Sequence, residues 1–135
     1  MTGGINSSIA VKDVRIFDFA KHIWTDGPPM NHGRSQHASI CSGDSIYVFG
    51  GFMNSGSIEK LTIGQRQAWA LIILPSQLTS RTNPMVCAHD RKTIIVYGGS
   101  RGQRGLSDGY ALDTEKKSVT AVKIDKAVLS GNCHT

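Results

Sequence analysis

Ser45-Ile46-Tyr47-Val48-Phe49-Gly50-Gly51 and Thr93-Ile94-Ile95-Val96-Tyr97-Gly98-Gly99 are two copies of one device, a hydrophobic run that stops on a pair of glycines. β-branched and aromatic residues dominate both runs, so each reads as a buried strand. Paired glycines let the backbone turn sharply where a side chain would clash or a positive φ is needed. A third pair, Gly3-Gly4, has no such run before it, and the sequence is therefore expected to begin inside a repeat. The pairs stand 47 and 48 residues apart (50 − 3 and 98 − 50). Self-similarity at this period is the mark of a repeat architecture.

The rest of the chain aligns to the glycine pairs. About ten residues after each comes an acid, Asp13, Glu59 or Asp108. Short strand-like runs follow: Val14-Arg15-Ile16-Phe17, Lys60-Leu61-Thr62-Ile63 and Gly109-Tyr110-Ala111-Leu112. Trp24, Trp69 and Val119 then each open another β-rich stretch, clearest in Trp69 to Leu74 and Val119 to Ile124. Turn segments, Asp26-Gly27-Pro28-Pro29 and Pro75-Ser76-Gln77, lead to Arg34 and Arg81. Beyond these lie Gln36 to Cys41 and Pro84 to Ala88, and then a tight turn before the glycine-ended strand. Gly43-Asp44 suits a two-residue hairpin loop. Each unit holds four short strands with no helical periodicity. Four antiparallel strands make one small twisted sheet, and repeated sheets hide their faces by packing radially, as in a β-propeller. The units expected are 1–25 (the second half of one), 34–74, 81–124, and 131–135 as the start of a further one.

An arginine, a hydrophobic strand, Ile-Tyr-Val-Phe-Gly-Gly, an acidic strand and a tryptophan, in that order from Arg34 to Trp69, resemble a kelch repeat. The copy from Arg81 keeps Gly98-Gly99 and Asp108 but has Val119 where Trp69 stood. Gly3 to Trp24 looks like the second half of a copy, so the resemblance covers nearly the whole chain. It implies an all-β fold of four-stranded antiparallel blades in an incomplete kelch-type β-propeller. It also implies structural duties for Gly3, Gly4, Trp24, Arg34, Gly50, Gly51, Trp69, Arg81, Gly98 and Gly99, the arginines holding adjacent blades together through hydrogen bonds. A ligand contact is the alternative for Arg34 and Arg81. A large aromatic buries much surface between neighbouring sheets, and Val119 fills less, so the third unit is expected to pack more loosely.

Composition narrows the function. Of 135 residues, 39% are hydrophobic and 19% charged, which suits a folded chain. The net charge of +5 is scattered, with no basic run longer than Lys116-Lys117. That lacks the stripe of a nucleic-acid binder. The longest apolar run, Ala68 to Leu74, is seven residues, too short to span a membrane. Three cysteines without a Cys-x-x-Cys pair argue against a disulfide scaffold or zinc site and make a reducing, cytoplasmic setting the simplest expectation.

The chemistry-bearing residues have ordinary readings. Cys41 and Cys87 occupy matching strands and are expected to pack in the core. His22, His32, His37, His89 and His134 show no ligand spacing, so no metal and no cofactor is expected. Asp13, Glu59 and Asp108 are expected to bond local backbone amides or an arginine of the next sheet. No Gly-x-Ser-x-Gly elbow is present, and Gly102-Gln103-Arg104-Gly105 lacks the ending of a phosphate loop. The segments after the glycine pairs are the most function-like, because rigid strands present them on one face. There Phe52 and Met53 offer apolar anchors, and Arg101 and Arg104 offer a grip on acidic or phosphorylated groups. A solvated loop tip is the alternative reading. The expected function is a non-enzymatic protein-interaction module, a scaffold or adaptor, whose partner is an unidentified protein. The resemblance leaves two alternatives. One is part of a propeller enzyme of oxidase or epimerase type. The other is a subunit that completes its propeller by association through open sheet edges.

Overall fold

The computed structural model describes residues 1–52, 57–64, 68–74, 78, 80–123 and 133–134. The chain is all-β, and every sheet is antiparallel. Its first part forms a small hairpin, β1 (Ile5–Asn6) and β2 (Ile9–Ala10), and a two-stranded sheet, β3 (Arg15–Asp18) and β4 (Ile23–Asp26). A second sheet runs in sequence order through β5 (Ala38–Ser42), β6 (Ser45–Phe49), β7 (Ile58–Thr62) and β8 (Ala70–Ile72). The third repeats it with β9 (Met85–Ala88), β10 (Thr93–Tyr97), β13 (Gly109–Asp113) and β14 (Ser118–Val122). Between β10 and β13 sits the hairpin of β11 (Ser100–Arg101) and β12 (Arg104–Gly105). The two glycine-ended runs are thus the second strands, β6 and β10, of matching meanders.

Strand alternation turns this order into a stack. Tyr47 and Phe49 of β6 point one way, and pack with Ala38, Ile58, Val86, Ile94, Val96 and Leu112, all at most 5% exposed. That cluster joins the second sheet to the third. Val48 points the other way and packs with Val14, Met30, Leu61 and Trp69, joining the second sheet to the first part of the chain. The second sheet therefore packs on both faces, but on the Val48 face only in part, since Ser39 and Cys41 there stay exposed. Each large side chain so buried contributes about 1.5–3 kcal/mol.

Several placements differ from the sequence reading. Cys133–His134 form β15, which pairs with β9 and adds to the edge of the third sheet; Gly131, Asn132 and Thr135, expected with them to start a further unit, lie outside the described residues. Cys41 is exposed and Cys87 only half-buried, against the expectation of core packing, because Cys41 alternates out of the face that Ala38 and Ser42 bury. Ser100 to Gly105 is a paired hairpin where a loop was expected. Trp24 is 53% exposed: it stands opposite Phe17, ring centroids 5.1 Å apart, on the face of the first sheet turned away from the stack. Trp69, at 6%, lies between sheets and donates its indole N–H to the Pro28 carbonyl at 2.8 Å. Val119 packs against the cluster between the second and third sheets but stays half-buried. The turn Pro75-Ser76-Gln77 and Ile124 lie outside the described residues.

Candidate functional site

Consecutive units are joined by one repeated contact. The second glycine of a pair donates its N–H to the carbonyl of the arginine that enters the next sheet: Gly4 to Arg34 at 2.7 Å, and Gly51 to Arg81 at 2.8 Å. Asn83 adds a bond from its N–H to the Gln36 carbonyl at 2.7 Å, two residues past each arginine. Gln36 and Asn83 both have positive φ, 56° and 50°.

The arginine side chains turn back into their own units. Arg34 is fully buried and donates through Nη1 to the Gly50 carbonyl at 2.7 Å and the Ser57 carbonyl at 2.8 Å. Its Nη2 reaches Ser57 Oγ at 2.6 Å and Glu59 Oε1 at 3.1 Å, and its Nε reaches the same carboxylate oxygen at 3.3 Å. Arg81 follows the same plan, with Nη1 on the Gly98 carbonyl at 2.9 Å and Nη2 on Asp108 Oδ2 at 2.8 Å, and its guanidinium lies 5.2 Å from the Tyr110 ring centroid. The resemblance implied that these arginines help hold adjacent units together through hydrogen bonds; in this geometry the arginine carbonyl takes the bond from the preceding unit, while the side chain clamps the glycine turn and the acid of its own unit.

Glu59 is also fully buried, and beyond Arg34 it accepts from the N–H of Asn31 at 2.7 Å, Asn31 Nδ2 at 2.9 Å and the N–H of His32 at 3.1 Å. Burial pushes its carboxyl up, but the Asn31 amide and the Arg34 guanidinium outweigh burial and hold it below its usual range. Burial likewise lowers Arg34, opposed by Glu59. Asp108, with its side chain 47% exposed, is held low by its bond from Arg81. His37 bonds Thr2 Oγ1 through Nε2 at 3.0 Å, and burial together with the Arg34 charge lowers its pKa. Asn31 and His32 escaped the sequence reading because nothing local distinguishes an asparagine that serves a carboxylate 28 residues away.

These junctions shape a cleft of about 620 Å³ between the second and third units, lined by Gln36, Gly51, Phe52, Thr82, Asn83, Ser100 and Gly102. Phe52, 49% exposed, is its apolar part. Thr82 and Ser100 share a hydroxyl hydrogen bond of 2.7 Å on its wall. Arg101 and Arg104 flank the adjoining turn, both exposed, and Arg101 Nε donates to the Ser80 carbonyl at 3.2 Å. The structure thus brings Phe52 and the arginine hairpin to one cleft; Met53 lies outside the described residues. Among the described residues no three His, Cys, Asp or Glu side chains gather as a metal site, and no helix is long and apolar enough to cross a membrane.

No protein-family model matches the chain. Among curated proteins it is similar to serine/threonine-protein phosphatase BSL2 of Arabidopsis thaliana, 26% identical over 125 residues. The match takes in 86% of this chain and spans 12% of the length of that phosphatase.

Proposed function

We propose that the chain is a segment of a kelch-type β-propeller and that its role is to hold another protein rather than to catalyse a reaction. The observation that carries this reading is the cleft between two successive units, where Phe52, the amides Gln36 and Asn83, and the hydroxyls of Thr82 and Ser100 converge on rigidly seated strand ends. A few polar groups placed around an apolar anchor suit recognition of a protein segment. The recurrence of the glycine–arginine junction supports the propeller reading, because the same sheet-to-sheet step repeated is how blades accumulate. The similarity to the phosphatase is distant and covers a small part of it, so that protein's activity is not carried over.

A photocrosslinking residue placed at Phe52, and a control placed at Lys117 on the β13–β14 turn, test the reading in cell extract and with purified protein. The proposal expects a discrete protein adduct from position 52 and none from 117. Adducts from neither position, together with stoichiometric copper or iron in the purified protein, would favour the enzyme alternative instead.

A further inference from the structure

Resting on that binding role, the geometry points to a partner of particular chemistry: we infer that the β11–β12 hairpin recognises an anionic side chain, carboxylate or phosphate, on a segment of the partner protein lying in the cleft beside Phe52. Arg101 and Arg104 are directly opposite one another in the hairpin register. Opposed residues of an antiparallel pair project from the same face, and like charges so placed repel. The arrangement costs the free hairpin some stability and is relieved by a shared counter-charge.

Among the described residues neither arginine has an acidic group within ion-pair distance, and the acid closest in sequence, Asp108, is held by Arg81. Some exposed cations are matched, Arg15 with Asp26, Lys21 with Asp18 and Lys92 with Glu115, and others, such as Lys116 and Lys117, are in no ion pair among the described residues; what sets Arg101 and Arg104 apart is that each is paired in register with a second cation. The carbonyl of Ser80 holds Arg101 by its Nε, leaving the two Nη groups of that guanidinium as further donors. Ser100 and Gly102, on either side of Arg101, line the cleft, which puts the arginine pair at its edge, within one residue of the surface lined by Thr82, Asn83 and Phe52. Paired guanidiniums are suited to planar or tetrahedral oxyanions because each presents a fork of donors.

The test uses the whole chain, ¹⁵N-labelled, titrated at low salt with three five-residue peptides that differ only at the centre: phosphoserine, glutamate and serine. The inference expects shifts confined to residues 100–105, 82–83 and 52 with one or both anionic peptides, and none with the serine peptide. Which anionic peptide binds more tightly assigns the source as phosphate or carboxylate. The double variant Arg101→Gln/Arg104→Gln should weaken that binding about tenfold or more, while Lys116→Gln/Lys117→Gln, which removes equal charge elsewhere, should change it less than about twofold. Equal binding of the serine peptide would overturn the anionic preference and leave the binding role standing. No binding by any peptide, or equal losses in both double variants, would overturn the inference. Thermal unfolding of the variants separates lost binding from lost fold.

Discussion

Gly51 donates its N–H to the carbonyl of Arg81 at 2.8 Å, and through that bond the end of β6 seats the entry to the third sheet. The neighbouring Gly50 has φ of 65°, and a Cβ there would collide with the same carbonyl oxygen. Gly50→Ala should therefore destabilise by about 3 kcal/mol, combining backbone strain with a clash that no flexible side chain can relieve. Gly102→Ala shares the strained φ, 61°, but meets nothing within 4 Å, and should cost only about 1–2 kcal/mol. Urea unfolding midpoints of the two variants check the difference.

The two arginine–acid pairs should differ in strength. Both side chains of the Arg34–Glu59 pair are fully buried, whereas Asp108 is 47% exposed. Glu59→Gln removes the carboxylate charge that faces a buried guanidinium and should cost about 3–5 kcal/mol. Asp108→Asn, screened by water, should cost about 1 kcal/mol. Equal losses in chemical denaturation would contradict the burial argument.

Acid should weaken the fold in two stages. The pKa of His37 is lowered in the folded chain, so the unfolded chain binds the proton more readily. Stability from this group is complete above the ordinary histidine pKa of 6.5 and falls as pH drops below it. Glu59 is also lowered, from 4.5, so its contribution persists to lower pH and is lost as pH falls through its folded value. Melting temperature measured from pH 8 to pH 4 should decline first through His37. His37→Gln should flatten that first decline while leaving the second in place.

The two tryptophans make a third contrast. Trp69→Ala removes a buried ring and strands the Pro28 carbonyl, a loss of about 3–5 kcal/mol. Trp24→Ala, on an open face, should cost under about 1 kcal/mol. That face also carries Phe17, with Phe19, 81% exposed, 5.0 Å from it between ring centroids. An apolar patch of this kind promotes association, so Trp24→Ser should reduce any self-association seen by light scattering of the isolated chain. Unchanged scattering would exclude this face as the cause.

Much of this arrangement was legible from local pattern. The runs ending at Gly50-Gly51 and Gly98-Gly99 are β6 and β10, and the strand-like runs expected beside Glu59 and Asp108 are β7 and β13. Strand type and order follow from side-chain period and turn chemistry, which act over a few residues. The direction of the Arg34 guanidinium, toward its own Glu59 rather than the next sheet, follows from a hydrogen-bond network spanning residues 31 to 59 that no local rule reports. The exposure of Cys41 and Trp24 was hidden for a related reason. Their residue types favour burial, but the outcome depends on which part of a face a neighbouring segment covers. Phe52, Arg101 and Arg104 stood out as residues of the segments that follow the glycine pairs, but the pairing of Ser100 to Gly105 into a hairpin was not foreseen, and the cleft that unites Phe52 with it exists only once the second and third units stack.

The claim that consecutive units are stacked through the glycine–arginine junction is tested most directly by the scalar coupling carried across a hydrogen bond. In uniformly ¹³C,¹⁵N-labelled protein, a long-range HNCO experiment should connect the Gly51 amide nitrogen to the Arg81 carbonyl carbon, and the Gly4 amide nitrogen to the Arg34 carbonyl carbon. Both amides should also exchange with solvent far more slowly than those of the exposed turn at Gly102. Absent couplings together with fast exchange at Gly4 and Gly51 would contradict the stacked arrangement on which the cleft and its proposed role depend.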